Sequence, residues 1–97
     1  MTSTEKKLIE DRLKKITERL AAQYEEVLID KHKFFAATDG SLFRVSVFPG
    51  EMALVIEYAD SAEDARKNAL EDGDRFYLDE MDLETMVRNM VAEIERL

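Results

Sequence analysis

The residues that could do chemistry in this chain are few, and one stretch holds most of them. Glu71-Asp72-Gly73-Asp74-Arg75-Phe76-Tyr77-Leu78-Asp79-Glu80-Met81-Asp82 places six acids in twelve residues. Carboxylates at that density invite a calcium reading. An EF-hand loop needs oxygen ligands at positions 1, 3 and 5, Gly at 6 and Glu at 12. Counted from Asp72, position 3 is Asp74, but position 5 is Phe76 and position 6 is Tyr77, so the pattern fails. Beside a looser cation site, which any acid cluster offers weakly, two readings remain open. One is structural: Gly73 stops a helix, a connector follows, and acids gather at the positive end of the next helix. The other is a protein-binding epitope, with Phe76 or Tyr77 as anchor and Asp72, Asp74, Asp79 and Glu80 as its acidic rim.

Elsewhere the chemical repertoire is thin. His32 is the single imidazole, set among Asp30, Lys31 and Lys33, and its lysine neighbours oppose protonation. No nucleophile and orienting carboxylate accompany it in sequence, so an exposed loop or strand-edge histidine is expected. Cysteine is absent, which excludes disulfides, thiol catalysis and thiolate metal sites. Gly40, Gly50 and Gly73 are isolated turn residues and make no phosphate loop. Glu84, Glu93 and Glu95 fall on the polar side of the last helix, and Asp60, Glu63 and Asp64 open the middle one. A paired-carboxylate hydrolase needs two acids facing across a cleft, and nothing in the spacing fixes such a pair. Neither catalysis nor a bound cofactor or metal is expected.

Charge says more. The 97 residues carry 22 acids against 14 bases, a net charge of −8. Residues 1–35 net +1, residues 36–58 net −2 and residues 59–97 net −7. That field repels phosphate backbones and anionic membrane surfaces, so neither nucleic acid nor a membrane is an expected partner. No apolar run approaches the roughly 20 residues of a membrane span. Met1 to Lys7 lacks the apolar core of a signal peptide, and a cytoplasmic location is expected.

The elements that must position these residues are legible to different degrees. Ile9, Leu13, Ile16, Leu20 and Tyr24, with Leu8 beside them, form one helical stripe, and Thr2 with Glu5 has capping-box spacing. The helix is expected to end near Glu26, with a bend through Asp30-Lys31-His32-Lys33 and a strand from about Lys33 to Ala37. Asp39-Gly40 reads as a two-residue type I′ hairpin. Phe43, Val45 and Val47 alternate as a half-buried strand, Pro49-Gly50 turns the chain, and Met52 to Ala59 forms a strand covered on both faces. Ser61 and Asp64 have capping-box spacing at the head of a helix running to Glu71, and Arg75 to Leu78 reads as a brief fourth strand or an extended connector. Leu83, Met86, Val87, Met90, Val91, Ile94 and Leu97 mark a final helix, capped by Asp79 or Asp82. The chain thus reads as a single α+β domain over residues 1–97. A three-stranded antiparallel meander, with a possible short fourth strand, lies against long N- and C-terminal helices and a short middle helix, in the order α-β-β-β-α-(β)-α.

Helix, three-stranded meander and helix in that order resemble the double-stranded RNA-binding domain. In that family the second helix opens on a Ser-Lys-Lys-x-x-Ala-Lys type of motif. Ser61-Ala62-Glu63-Asp64-Ala65-Arg66-Lys67-Asn68-Ala69 keeps the serine and the alanines but sets Glu63 and Asp64 near the positions of the lysines. The resemblance is one of topology: it implies the meander and argues against RNA binding. The leading expectation is a small acidic non-enzymatic protein, inhibitor- or immunity-like, that binds a basic protein partner. The alternative is a structural homodimer, self-associating through a long helix, a sheet edge, or an apolar patch formed by one of Phe34 and Phe35 with Leu42, Phe48 and Val55.

Overall fold

The computed structural model describes residues 2–96. Helix α1 (Ser3–Ala21) starts where the spacing predicts: Thr2 and Glu5 form a reciprocal capping box, with Glu5 N–H donating to Thr2 Oγ1 at 3.1 Å and Thr2 N–H to Glu5 Oε1 at 2.9 Å. Then follow β1 (Glu26–Ile29), β2 (His32–Ala36), β3 (Leu42–Val47), β4 (Ala53–Ala59), α2 (Ala62–Arg66), β5 (Glu71–Tyr77) and α3 (Leu83–Glu95). The strands form one antiparallel sheet in the order β1-β2-β3-β4-β5, each beside its predecessor. The α+β class holds, and the sheet has five strands where three, with a possible fourth, are expected. No helix among the described residues is long and apolar enough to cross a membrane.

Both additional strands arise from turns that carry no glycine signal. Val27-Leu28-Ile29, which follows the expected helix end near Glu26 and whose conformation the sequence leaves open, is β1, hairpinned to β2 with Ile29 opposite His32. The two turn residues, Asp30 and Lys31, both take positive φ, 48° and 73°, as a type I′ turn requires. The middle helix stops early. Asn68, at φ 58°, ends α2, with Ala69 N–H reaching back to Asp64 O at 2.8 Å and Asn68 N–H to Ala65 O at 3.1 Å. This is a Schellman cap built on asparagine, and Gly73, expected as the helix stop, lies inside β5 instead. The Asp39-Gly40 turn is longer than two residues. Ala37 N–H pairs with Ser41 O at 2.8 Å, Gly40 N–H with Ala37 O at 3.0 Å, and only Gly40 has positive φ, so this is a three-residue loop.

The two faces of the sheet are covered differently. Ile9, Ile16 and Leu20 of α1 and Met86, Val87, Met90 and Ile94 of α3 pack on Phe35, Phe43, Leu54, Ile56 and Phe76. Leu97, the last residue of the expected α3 stripe, lies outside the described residues. On the opposite face Ala65 of α2 covers Ile29, Phe34, Leu42 and Ala59. Farther along that face, Arg44 pairs with Glu57 at 3.1 Å, and the Arg75 guanidinium stacks 3.9 Å over the Phe48 ring. The expected exposed apolar patch is therefore absent: Phe34, Leu42 and Val55 are buried, and Phe48 is half-buried beneath Arg75.

Candidate acidic binding site

The acids of residues 71–82 do not form one site. β5 carries Asp72 and Asp74 at its start, whereas Asp79 and Glu80 lie past its end, roughly 20 Å along the strand direction at 3.3 Å per residue. The aromatics divide as well. Phe76 is buried in the core beneath the helices and cannot serve as an anchor. Tyr77 turns to the other face, half-buried, and its hydroxyl donates to Glu51 Oε2 at 3.1 Å. His32 stands exposed beside the β1–β2 turn, three strands from β5, or about 14 Å at ordinary strand spacing.

At the start of β5 the chain builds a distinct feature. Val55 pairs with Arg75 and Glu57 with Asp72, so Gly73 and Asp74 together oppose Ile56, a bulge of one extra residue. The bulge frees the Asp74 N–H from the ladder, and it donates instead to Glu93 Oε1 of α3 at 2.7 Å. The Tyr58 hydroxyl donates to the other oxygen, Oε2. Glu93 is only 7% exposed, the one buried charged residue among those described, rather than the solvated helix-face acid its sequence context implies. Burial, the hydrogen bond to Glu93 and the charge of that carboxylate hold the Tyr58 phenol protonated far above its ordinary range. Gly73 completes the seat: a Cβ there would lie 2.9 Å from the Glu93 carboxyl carbon, so only glycine leaves room for the carboxylate.

Around this buried group the surface is concave and acidic. A cavity of about 540 Å³ is lined by Tyr58, Glu71, Asp72, Asp74, Glu93 and Arg96, among others. A second, of about 400 Å³, shares Tyr58 and Glu71 with it and adds Asp60 and Asp64 from the approach to α2 and its first turn. Together they form a trough edged by Asp60, Asp64, Glu71, Asp72 and Asp74, with Arg96 as its base, 3.8 Å from Asp74 and largely exposed. Asp60, Asp64 and Glu93 are expected from the sequence only as solvated helix-face or helix-opening acids, and Tyr58 only as a strand residue. The signal for Glu93 was its phase, since it falls three residues after Met90 and seven after Met86 on the buried stripe of α3. Its two oxygens are already engaged by protein donors. Among the described residues no group of three or more His, Asp or Glu side chains is arranged to hold a metal ion. What the trough offers a ligand is a negative field from partly solvated carboxylates over a rigid floor.

Compared with known proteins, the chain matches no family model, no curated protein and no solved structure. The fold and this trough describe it as a small α+β protein with one antiparallel sheet and an acidic concave surface at one end of an edge strand.

Proposed function

We propose that the protein is a small acidic, non-enzymatic binding module that docks a basic segment of a partner protein into the trough between α2, β5 and the C-terminal end of α3. The observation that carries this reading is the set of carboxylates Asp60, Asp64, Glu71, Asp72 and Asp74 around two adjoining concavities whose lining holds one base, Arg96. Lysine and arginine side chains of the partner would lie against these carboxylates, with Tyr58 beneath. Attraction of this kind accelerates encounter and selects the partner by charge, and it weakens as salt screens it. The hydrogen-bonded seat of Glu93 and the solitary position of His32 support a binding role rather than a catalytic one.

The test uses a lysine-rich peptide as probe, titrated calorimetrically at low and high salt, and affinity capture from lysate at the same two salts. Binding is expected at low salt, with loss at high salt and a basic protein following the same pattern in the capture. Asp72→Lys with Asp74→Lys is expected to abolish binding, whereas Asp79→Lys with Glu80→Lys, at the other end of β5, leaves most of it. Equal loss in both double variants would mean that net charge and not the trough binds the probe. Salt-insensitive binding would remove the electrostatic basis altogether.

A further inference from the structure

The outward side of α1 carries a feature that neither the core nor the trough uses. Leu8 is 55% exposed although the helix already buries Ile9, Ile16 and Leu20. Thr4, Leu8, Asp11 and Lys15 follow a 4-3-4 spacing, a second stripe on a different face of the same helix. Leu8 stands as a ridge between two concave surfaces. On one side is a groove of about 560 Å³, its apolar floor made by Met52, Leu78 and Leu83. On the other is a shallower surface of about 470 Å³ edged by Thr4, Lys7, Glu10, Asp11 and Lys14. The groove lies at the N-terminal end of α3 and the trough at its C-terminal end, about 20 Å apart along 13 helical residues.

We infer that this face pairs with itself: α1 of a second copy lies antiparallel across it, with the two Leu8 side chains flanking a twofold axis and each reaching into the other copy's groove. Three observations select a second copy as the occupant. The charges are complementary to their own reversal. With the axis near residue 9, Lys7 comes opposite Asp11 of the second copy and Asp11 opposite its Lys7. Arg12, which would fall near Lys7 of the second copy, is turned inward instead, donating to Met81 O at 3.1 Å. Secondly, ridge and groove adjoin on one molecule, so an isologous contact uses both twice. Thirdly, α1 carries six bases and four acids in a chain of net charge −8, so two copies meet there with the least repulsion. The β5 edge, by contrast, would set Glu71, Asp72 and Asp74 against their own counterparts, and its bulge interrupts regular pairing.

Sedimentation equilibrium on the full chain tests this. The wild type is expected to dimerise reversibly with a dissociation constant on the order of 10–100 μM, in keeping with a small helix-to-helix contact. Leu8→Glu should weaken the dimer at least about tenfold. Lys7→Glu and Asp11→Lys should each weaken it about fivefold, because each sets like charges opposite one another twice. The double variant K7E/D11K restores complementarity and should return the constant to within about twofold of wild type. All three substitutions fall on exposed positions, and unchanged circular dichroism confirms the fold. A wild type that stays monomeric at about 1 mM overturns the inference. So does a dimer indifferent to Leu8→Glu, which would place the contact elsewhere, for example at Leu28 on β1, 70% exposed. Failure of the double variant to recover overturns it too, and a monomer that retains another protein through Leu8 assigns the groove to that protein instead.

Discussion

Gly73→Ala isolates the seat of Glu93 with a single methyl group. Gly73 does not occupy the left-handed region, so alanine meets no backbone strain there, and the whole effect is steric. The added Cβ would lie 2.9 Å from the carboxyl carbon of Glu93 and 3.0 Å from Oε1, so the carboxylate must leave. With it go the hydrogen bonds from Tyr58 and from the Asp74 N–H. Each bond to a charged acceptor contributes about 1.5–3 kcal/mol. The displaced carboxylate recovers part of that by swinging into the trough and meeting water, which leaves a net loss of about 2–4 kcal/mol. For a chain of this size the melting temperature should fall by on the order of 15 °C. The decisive assay is a double-mutant cycle by urea denaturation with Glu93→Ala. In that background the obstacle is gone, and Gly73→Ala should be neutral or stabilise by about 0.5 kcal/mol through strand propensity. Glu93→Gln, which keeps one acceptor oxygen of the two, should fall between wild type and Glu93→Ala. If Gly73→Ala costs the same in both backgrounds, the glycine serves the backbone of β5 and not the carboxylate.

The turn and the tyrosines give two further predictions. Lys31→Gly should raise stability by about 0.5–1 kcal/mol, since Lys31 holds φ 73° in the β1–β2 turn where a side chain is disfavoured. A fall in the urea midpoint would show that Lys31 contributes a contact the turn geometry does not reveal. For Tyr24, burial and then the hydrogen bond and charge of Glu95 push the phenol from 10.0 up to about 12. A raised pKa in the folded state favours the neutral form, so this contribution is complete below about pH 10 and is lost as pH rises toward 12. Phenolate absorbance should therefore show delayed ionisation that coincides with unfolding, and Tyr24→Phe should flatten the stability profile across that window. An early, freely titrating Tyr24 would contradict the hydrogen bond to Glu95, 2.7 Å long.

How much of this was legible depended on whether burial left a period in the sequence. The stripes of α1 and α3 are read directly because each helix buries one face, and in β3 Phe43, Val45 and Val47 alternate because they face the core under α1 and α3 while Arg44 and Ser46 meet Glu57 on the other face. β1 was hidden by its turn. Asp30 and Lys31 adopt the positive φ that ordinarily calls for glycine or asparagine, and without that mark the short run before them does not declare itself as helix, loop or strand. Only the end of β5 was legible: Arg75 to Leu78 reads as a brief strand, but Glu71, Asp72, Gly73 and Asp74 in a row have no apolar alternation to read. The helix stop was misplaced for a related reason: Asn68 does the work expected of Gly73. At the site, Asp72 and Asp74 stood out by density, but Asp60 and Asp64 join them only through the return of the chain from β4 to β5. Such proximity leaves no local trace. Phe76 and Tyr77 read equally well as an anchor, and only the pairing of Phe76 with Leu54 on the covered face of the sheet separates them.

That bulge links the fold to its surface chemistry. An edge strand must avoid pairing with another copy, and β5 does so with carboxylates and with a register break. The same register break leaves one backbone N–H without a ladder partner, and a buried donor of that kind needs an acceptor. Glu93 supplies it, at the expense of taking a carboxylate out of water, and Tyr58 shares in holding it there. The result ties α3, β4 and β5 together directly beneath the acidic concavity. Surface carboxylates mounted over a fixed floor keep their spacing when a basic segment approaches, so less ordering is lost on binding than if they stood on a mobile loop. The reasoning separates protection from recognition. Neutralising Asp72 and Asp74 removes charge but leaves the bulge, so the edge should stay unpaired while the trough loses its attraction. Displacing Glu93 through Gly73→Ala leaves every surface acid in place and turns one more carboxylate into the trough, so a loss of affinity for the lysine-rich probe would come from the loosened floor and not from lost charge. A variant that keeps full affinity after Glu93 is displaced would show that the trough needs only its charge.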